Sequence, residues 1–100
     1  ETVGVPGVGV HYALSKGAVN SFSIGLSQEV AGDGIRVNSV SPGPTRTDMF
    51  NPDDLPAVAA ALPMGRVGEP EEIAEAVAWL LSDQASFVAG ANIRAAGGRP

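Results

Sequence analysis

Cysteine is absent from this 100-residue chain, which excludes a disulfide framework, thiolate metal sites and a cysteine nucleophile. Charge is sparse. Only 17% of residues are Asp, Glu, Lys or Arg, and six basic residues against eleven acidic ones leave a net charge of −5. No basic run or stripe is available for nucleic acid or for an anionic membrane surface, so neither is expected as a partner. No apolar stretch approaches the length of a transmembrane helix. The start Glu1-Thr2-Val3-Gly4 is neither a Met start nor a charged-then-apolar signal segment. The expectation is a soluble, cytoplasmic protein whose chain begins mid-protein.

What is present is apolar. Hydrophobic residues make up 44% of a chain long enough for one modest domain at most. That composition suits a piece buried on several sides. Residues 1–10 hold three glycines and a proline and read as a loop running into a helix. Over residues 9–31, Leu14, Ala18, Val19, Phe22, Leu26 and Val30 recur at helical spacing. Gly17 and Gly25 inside that helix predict close packing by a neighbour, and Gly32-Asp33-Gly34 a left-handed cap. Residues 35–40 are β-branched and read as a strand stopped by Ser41-Pro42-Gly43-Pro44. A loop follows, with a short helix predicted over 55–62. Pro70, followed by Glu71 and Glu72, marks a helix start favoured by the macrodipole. Ile73, Ala74, Val77, Leu80 and Leu81 form its apolar stripe. Residues 83–90 read as a turn region, and 91–95 as a final strand closed by Gly97-Gly98.

This alternation of helix and strand predicts an α/β architecture with parallel strands and crossover helices. Two strands alone leave both edges and both faces open. The chain therefore reads as the C-terminal part of a larger doubly wound, Rossmann-like sheet.

One pair of residues carries chemistry. Tyr12 and Lys16 lie four apart in His11-Tyr12-Ala13-Leu14-Ser15-Lys16, one turn from each other on a helix. A free phenol titrates near pH ~10 and is a poor acid or base at neutrality. An ammonium about 4–5 Å away favours the phenolate by roughly 3–4 kcal/mol at an effective dielectric of about 20. That is enough to lower the phenol by a couple of pKa units. Taken alone, the spacing also fits an ordinary solvated helix face.

The rest of the chain bears on that choice. Tyr12-Ala13-Leu14-Ser15-Lys16 resembles the Tyr-x-x-x-Lys signature of the short-chain dehydrogenases/reductases. Further blocks resemble that family in the same order. They are Ile35-Arg36-Val37-Asn38-Ser39-Val40-Ser41-Pro42-Gly43, Thr47 after that turn, Gly65-Arg66-Val67-Gly68-Glu69-Pro70-Glu71-Glu72-Ile73-Ala74, Ala78-Trp79-Leu80-Leu81-Ser82-Asp83, and Gly97-Gly98.

The resemblance implies NAD or NADP as cofactor and hydride transfer to or from a carbonyl or secondary alcohol, for example a 3-oxoacyl thioester, a sugar or another ketone. It makes Tyr12 the proton donor or acceptor, and Lys16 the residue that holds the nicotinamide ribose and lowers the Tyr12 pKa. Pro42 and Gly43 form a turn where backbone approaches the nicotinamide, the backbone at Thr45 meets the carboxamide, and Thr47 reaches the carboxamide or the pyrophosphate. No metal is implied. The long helix, the late helix and the final strand are oligomer surfaces in the family, so a homodimer or homotetramer is expected.

The family's glycine-rich loop, ribose selector and helix asparagine lie upstream of residue 1, and its serine falls at or before Glu1. By that reckoning the 100 residues alone are inactive and hold half a site. Thr2 reads as a loop residue. Ala95-Ala96 stands where the family often has Val-Asp, and Ala89-Gly90 where Thr-Gly is common. His11 reads as a pocket or surface residue, and Trp79 as packing. Glu71, Glu72 and Glu75 read as a solvated first turn, and Asp53-Asp54 as a helix cap. Met49, Phe50 and Met64 are candidates to line a substrate pocket. The alternative function is a truncated fragment or pseudoenzyme serving as an interaction module.

Overall fold

Helical periodicity and its terminators set the first element. The computed structural model describes residues 10–48 and 51–99, and of residues 10–16 the backbone only. Helix α1 spans Val10–Val30 and tightens into a 3-10 turn at Ala31–Asp33. Gly34, at φ 79°, supplies the left-handed cap, and its N–H donates to Ala31 O at 3.1 Å. Only a residue without Cβ takes that conformation at no steric cost.

The face α1 turns inward differs from the expected stripe. Ser27 is buried, and Asn20, Ser23, Leu26 and Val30 are half-buried. Val19 and Phe22 are 56% and 70% exposed. At Ser27 the loop before the last strand comes close. A Cβ on Gly90 would stand 3.3 Å from Ser27 Oγ. The expected close neighbours at Gly17 and Gly25 are not found among the described residues, since a Cβ at either meets nothing within 4 Å.

Strand β1 spans Ser39–Pro42, starting later and ending later than the β-branched run implied. Strand β2 spans Asn92–Ala95. The two pair in one sheet. Ser39 N–H donates to Ala91 O and Gly43 N–H to Ala95 O, each at 2.9 Å. A step of four on both strands makes the pair parallel and in constant register. Donors toward β2 come from alternate residues, so Pro42 falls on the opposite side, where its missing N–H breaks no bond to β2. This is why the strand runs on through a proline expected to stop it. Asn38 fixes the approach to β2: its Nδ2 donates to Val88 O at 2.9 Å, and its Oδ1 accepts from Ala91 N–H at 2.9 Å.

Between the strands come a 3-10 turn at Pro52–Asp54, helix α2 at Leu55–Ala60 and helix α3 at Pro70–Leu81. The expected cap at Asp53-Asp54 belongs to Asn51, whose Oδ1 accepts from Asp53 N–H at 3.0 Å. Pro70 opens α3 as predicted. Ile73 and Ala76 are half-buried and Leu80 fully buried, but Val77 and Leu81 of the predicted stripe are exposed.

Contacts divide the chain into two units, Glu1–Ser39 with Phe87–Asn92, and Val40–Ser86 with Ile93–Pro100. The buried apolar residues Leu62, Leu80 and Ala85 all belong to the second unit. Among the described residues no helix is long and apolar enough to cross a membrane.

Candidate functional site

Tyr12 and Lys16 both lie within α1. Four residues at about 1.5 Å each set them roughly 6 Å, one turn, apart along the axis. Their side chains, and that of His11, lie outside the described residues, as do Thr2, Met49 and Phe50.

The remaining predicted residues follow one another along the end of β1 and the loop beyond it, in the second unit. Pro42 is exposed, Gly43 and Thr45 are half-buried, and Thr47 is exposed. Gly43 is held by its neighbour after β2. A Cβ there would stand 2.6 Å from Ala96 Cα and 2.7 Å from Ala96 Cβ. The missing side chain of Gly43 thus answers to packing against Ala96 and makes no open cradle.

Thr45 is pinned from both sides. Gly68 N–H donates to Pro44 O at 2.9 Å, and Arg46 N–H donates to Gly68 O at 2.8 Å. The two strands of chain form a parallel bridge at Thr45 and Gly68. Thr45 Oγ1 donates to Gly43 O at 2.9 Å. Its oxygen lone pairs stay available to accept a further bond.

Two ion pairs bracket the start of α3. Arg46 Nη2 and Nε donate to Glu69 Oε1 at 2.6 and 3.2 Å. Arg66 grips Glu72 with both arms, Nη1 to Oε1 at 2.7 Å and Nη2 to Oε2 at 2.8 Å. Glu72 Oε1 also accepts from Glu69 N–H at 3.0 Å, the returning arm of a capping box. The Arg66 guanidinium first, and then the Glu69 N–H, pull the Glu72 carboxyl down to a pKa of about 2. Glu69 in turn raises the Arg46 pKa above its ordinary value. Periodicity could show Glu72 at the third helical position, but nothing local links Arg46 to a glutamate 23 residues on.

A cavity of about 390 Å³ lies in the same unit, with Leu62, Met64, Ile73, Arg66, Glu72 and Arg94 on its walls. Met64 lies on the wall of this cavity and is 62% exposed. Trp79, expected as packing, is 44% exposed. Among the described residues no three His, Cys, Asp or Glu side chains cluster in a way that could hold a metal.

These elements have known counterparts. The family profile described as enoyl-(acyl carrier protein) reductase matches residues 1–99. The chain belongs to the short-chain dehydrogenase/reductase family. It is 48% identical to an uncharacterized oxidoreductase, YgfF, of Escherichia coli strain K12, over 97% of this chain and 41% of that protein. It is 42% identical to the acetoacetyl-CoA reductase of Cupriavidus necator, over 88% of this chain and 37% of the reductase. The crystal structure of a blue fluorescent protein from a metagenomic library, in complex with NADPH, superposes with a TM-score of 0.78 at 38% identity. That match covers 87% of this chain and 36% of the other. Such likeness makes the helices and parallel strand pair part of a Rossmann-like α/β fold, as the alternation predicted. This short-chain dehydrogenase/reductase chain spans about two fifths of the length of these curated relatives.

Proposed function

We propose that this chain is the C-terminal part of a single NAD(P)-binding domain, and that it supplies the proton-transfer half of an oxidoreductase site. The observation that carries the reading is the family match over residues 1–99, with Tyr12 and Lys16 one turn apart on α1. In this reading Tyr12 Oη gives a proton to a substrate carbonyl oxygen during reduction, or takes one from an alcohol during oxidation. Lys16 Nζ favours the phenolate, so the phenol can exchange its proton near neutral pH. Its three donors also suit the vicinal hydroxyls of a ribose.

The donor set fits the nicotinamide end of a dinucleotide. Thr45 and Thr47 follow the carboxyl end of β1, the side on which open α/β sheets take ligands. Thr45 retains accepting lone pairs after bonding to Gly43 O, which suits a carboxamide N–H. Thr47 is exposed and able to reach the carboxamide or the pyrophosphate. Pro42 and Gly43 hold the turn in place. The dinucleotide, when bound, supplies or accepts the hydride. NADPH in the solved relative and the acetoacetyl-CoA reductase both support this class. The substrate is a small molecule with a ketone or secondary alcohol, and a 3-oxoacyl thioester is the example the second relative favours. Assembly as a homodimer or homotetramer rests on the family resemblance, which makes α1, α3 and β2 its surfaces.

The test is Tyr12→Phe in the full-length protein. Turnover should fall by several orders of magnitude while nicotinamide dinucleotide still binds, as followed by quenching of protein fluorescence. A variant that keeps a tenth or more of wild-type turnover would remove Tyr12 from the mechanism.

A further inference from the structure

We propose that Arg46 and Glu69 form a latch that positions the loop carrying Thr45 and Thr47 against the nicotinamide carboxamide. Both are then positioning residues for the reaction. The inference rests on the functional reading above, because it takes from there the roles of the two threonines.

The latch is built in tiers. Backbone comes first: Gly68 N–H to Pro44 O and Arg46 N–H to Gly68 O clamp the peptide units on either side of Thr45. These bonds fix the direction of Thr45 and its bond to Gly43 O. They do not reach Thr47, which lies one residue beyond Arg46 and is exposed. The next restraint along the chain is the Arg46 side chain, which donates twice to Glu69 Oε1. Glu69 is itself anchored: its N–H is bonded to Glu72 Oε1, and Glu72 is gripped by both arms of Arg66. A continuous set of bonds therefore runs from the first turn of α3 to the residue between the two threonines.

Burial argues that the pair acts locally. Its side chains are 59% and 39% exposed, and exposed ion pairs add little to global stability. Local opening of a loop costs far less than unfolding, so a weak restraint there can still change how often the loop is in place. The fraction of time the loop is correctly held multiplies directly into apparent cofactor affinity.

The test uses the full-length protein with Arg46→Met, Glu69→Gln, the double variant and Arg46→Lys. Nicotinamide dinucleotide binding is followed by fluorescence, alongside cofactor KM, kcat and melting temperature. Each single variant should weaken cofactor binding by about three- to fivefold, the range an exposed pair can deliver. kcat at saturating cofactor should change less than about twofold, and the melting temperature should hold. The double variant should be no worse than either single one, since both break the same bond. Arg46→Lys should recover part of the affinity. Unchanged cofactor binding in both single variants would overturn the latch. So would an effect of Arg46→Met with Glu69→Gln silent, which would mean Arg46 meets the cofactor directly. An additive double variant would overturn it as well. A wild-type protein that binds no nicotinamide dinucleotide would instead fail the functional reading, and the same titration separates the two failures.

Discussion

Replacing Gly43 by alanine decides between two reasons for a glycine at the end of β1. The added Cβ would stand 2.6 Å from Ala96 Cα, 2.7 Å from Ala96 Cβ and 3.2 Å from Ala96 O. Two of the three obstacles are backbone, so no side chain can swing away. Either the turn after β1 or the chain after β2 must move by several tenths of an ångström. Forcing an extra carbon into a packed contact costs about 1–3 kcal/mol. The shift also strains the 2.9 Å bond from Gly43 N–H to Ala95 O, and losing it adds about 1 kcal/mol. Together these give a loss of roughly 2–4 kcal/mol, readable by urea denaturation of the full-length protein. The alternative is that Gly43 is bare so that the cofactor can approach. In that case Gly43→Ala would keep its stability and lose nicotinamide dinucleotide binding, which would refute the packing argument.

Two further outcomes follow from the same contacts. Glu72 titrates near 2 when folded against an ordinary value of 4.5, so between those values the unfolded chain binds more protons than the native one. Its contribution is present above about pH 4.5 and is lost as pH falls through about 2. Glu72→Gln should flatten the pH dependence of stability in that window, and an unchanged slope would refute the assignment. Gly25→Ala should raise stability by about 0.5–1 kcal/mol, because alanine is the better helix residue and a Cβ there meets nothing within 4 Å among the described residues. A loss in thermal denaturation would show that another surface packs against α1 at that point.

Local signals were the legible part of the fold. Gly34 as a left-handed cap, Pro70 at the first position of α3 and the final strand at Asn92–Ala95 were all readable from neighbours in sequence. The limits of β1 were not. Ile35 and Val37 are β-branched, yet the ladder begins only at Ser39, where Ala91 comes opposite. Its end depends on the direction of an absent N–H at Pro42, which composition does not encode. Apolar periodicity on α1 named Val19 and Phe22, but both stay exposed in the chain itself. Periodicity reports that a face wants covering and says nothing of whether the cover lies in the same 100 residues.

The candidate site divides the same way. Tyr12 with Lys16, and the run from Pro42 to Thr47, are short-range patterns and could be read directly. The hold of Ala96 on Gly43 and of Glu69 on Arg46 spans tens of residues and exists only once the chain has folded.

In the proposed mechanism the Lys16 ammonium tunes the Tyr12 phenol into a proton donor and acceptor. The most direct measurement is the pH dependence of kcat for alcohol oxidation in the full-length protein, at saturating cofactor, for wild type and Lys16→Met. The wild type should show a rate-controlling pKa well below the free phenol value of about 10, moving up toward that value in the variant. A controlling pKa that stays in place when Lys16 is removed would contradict it.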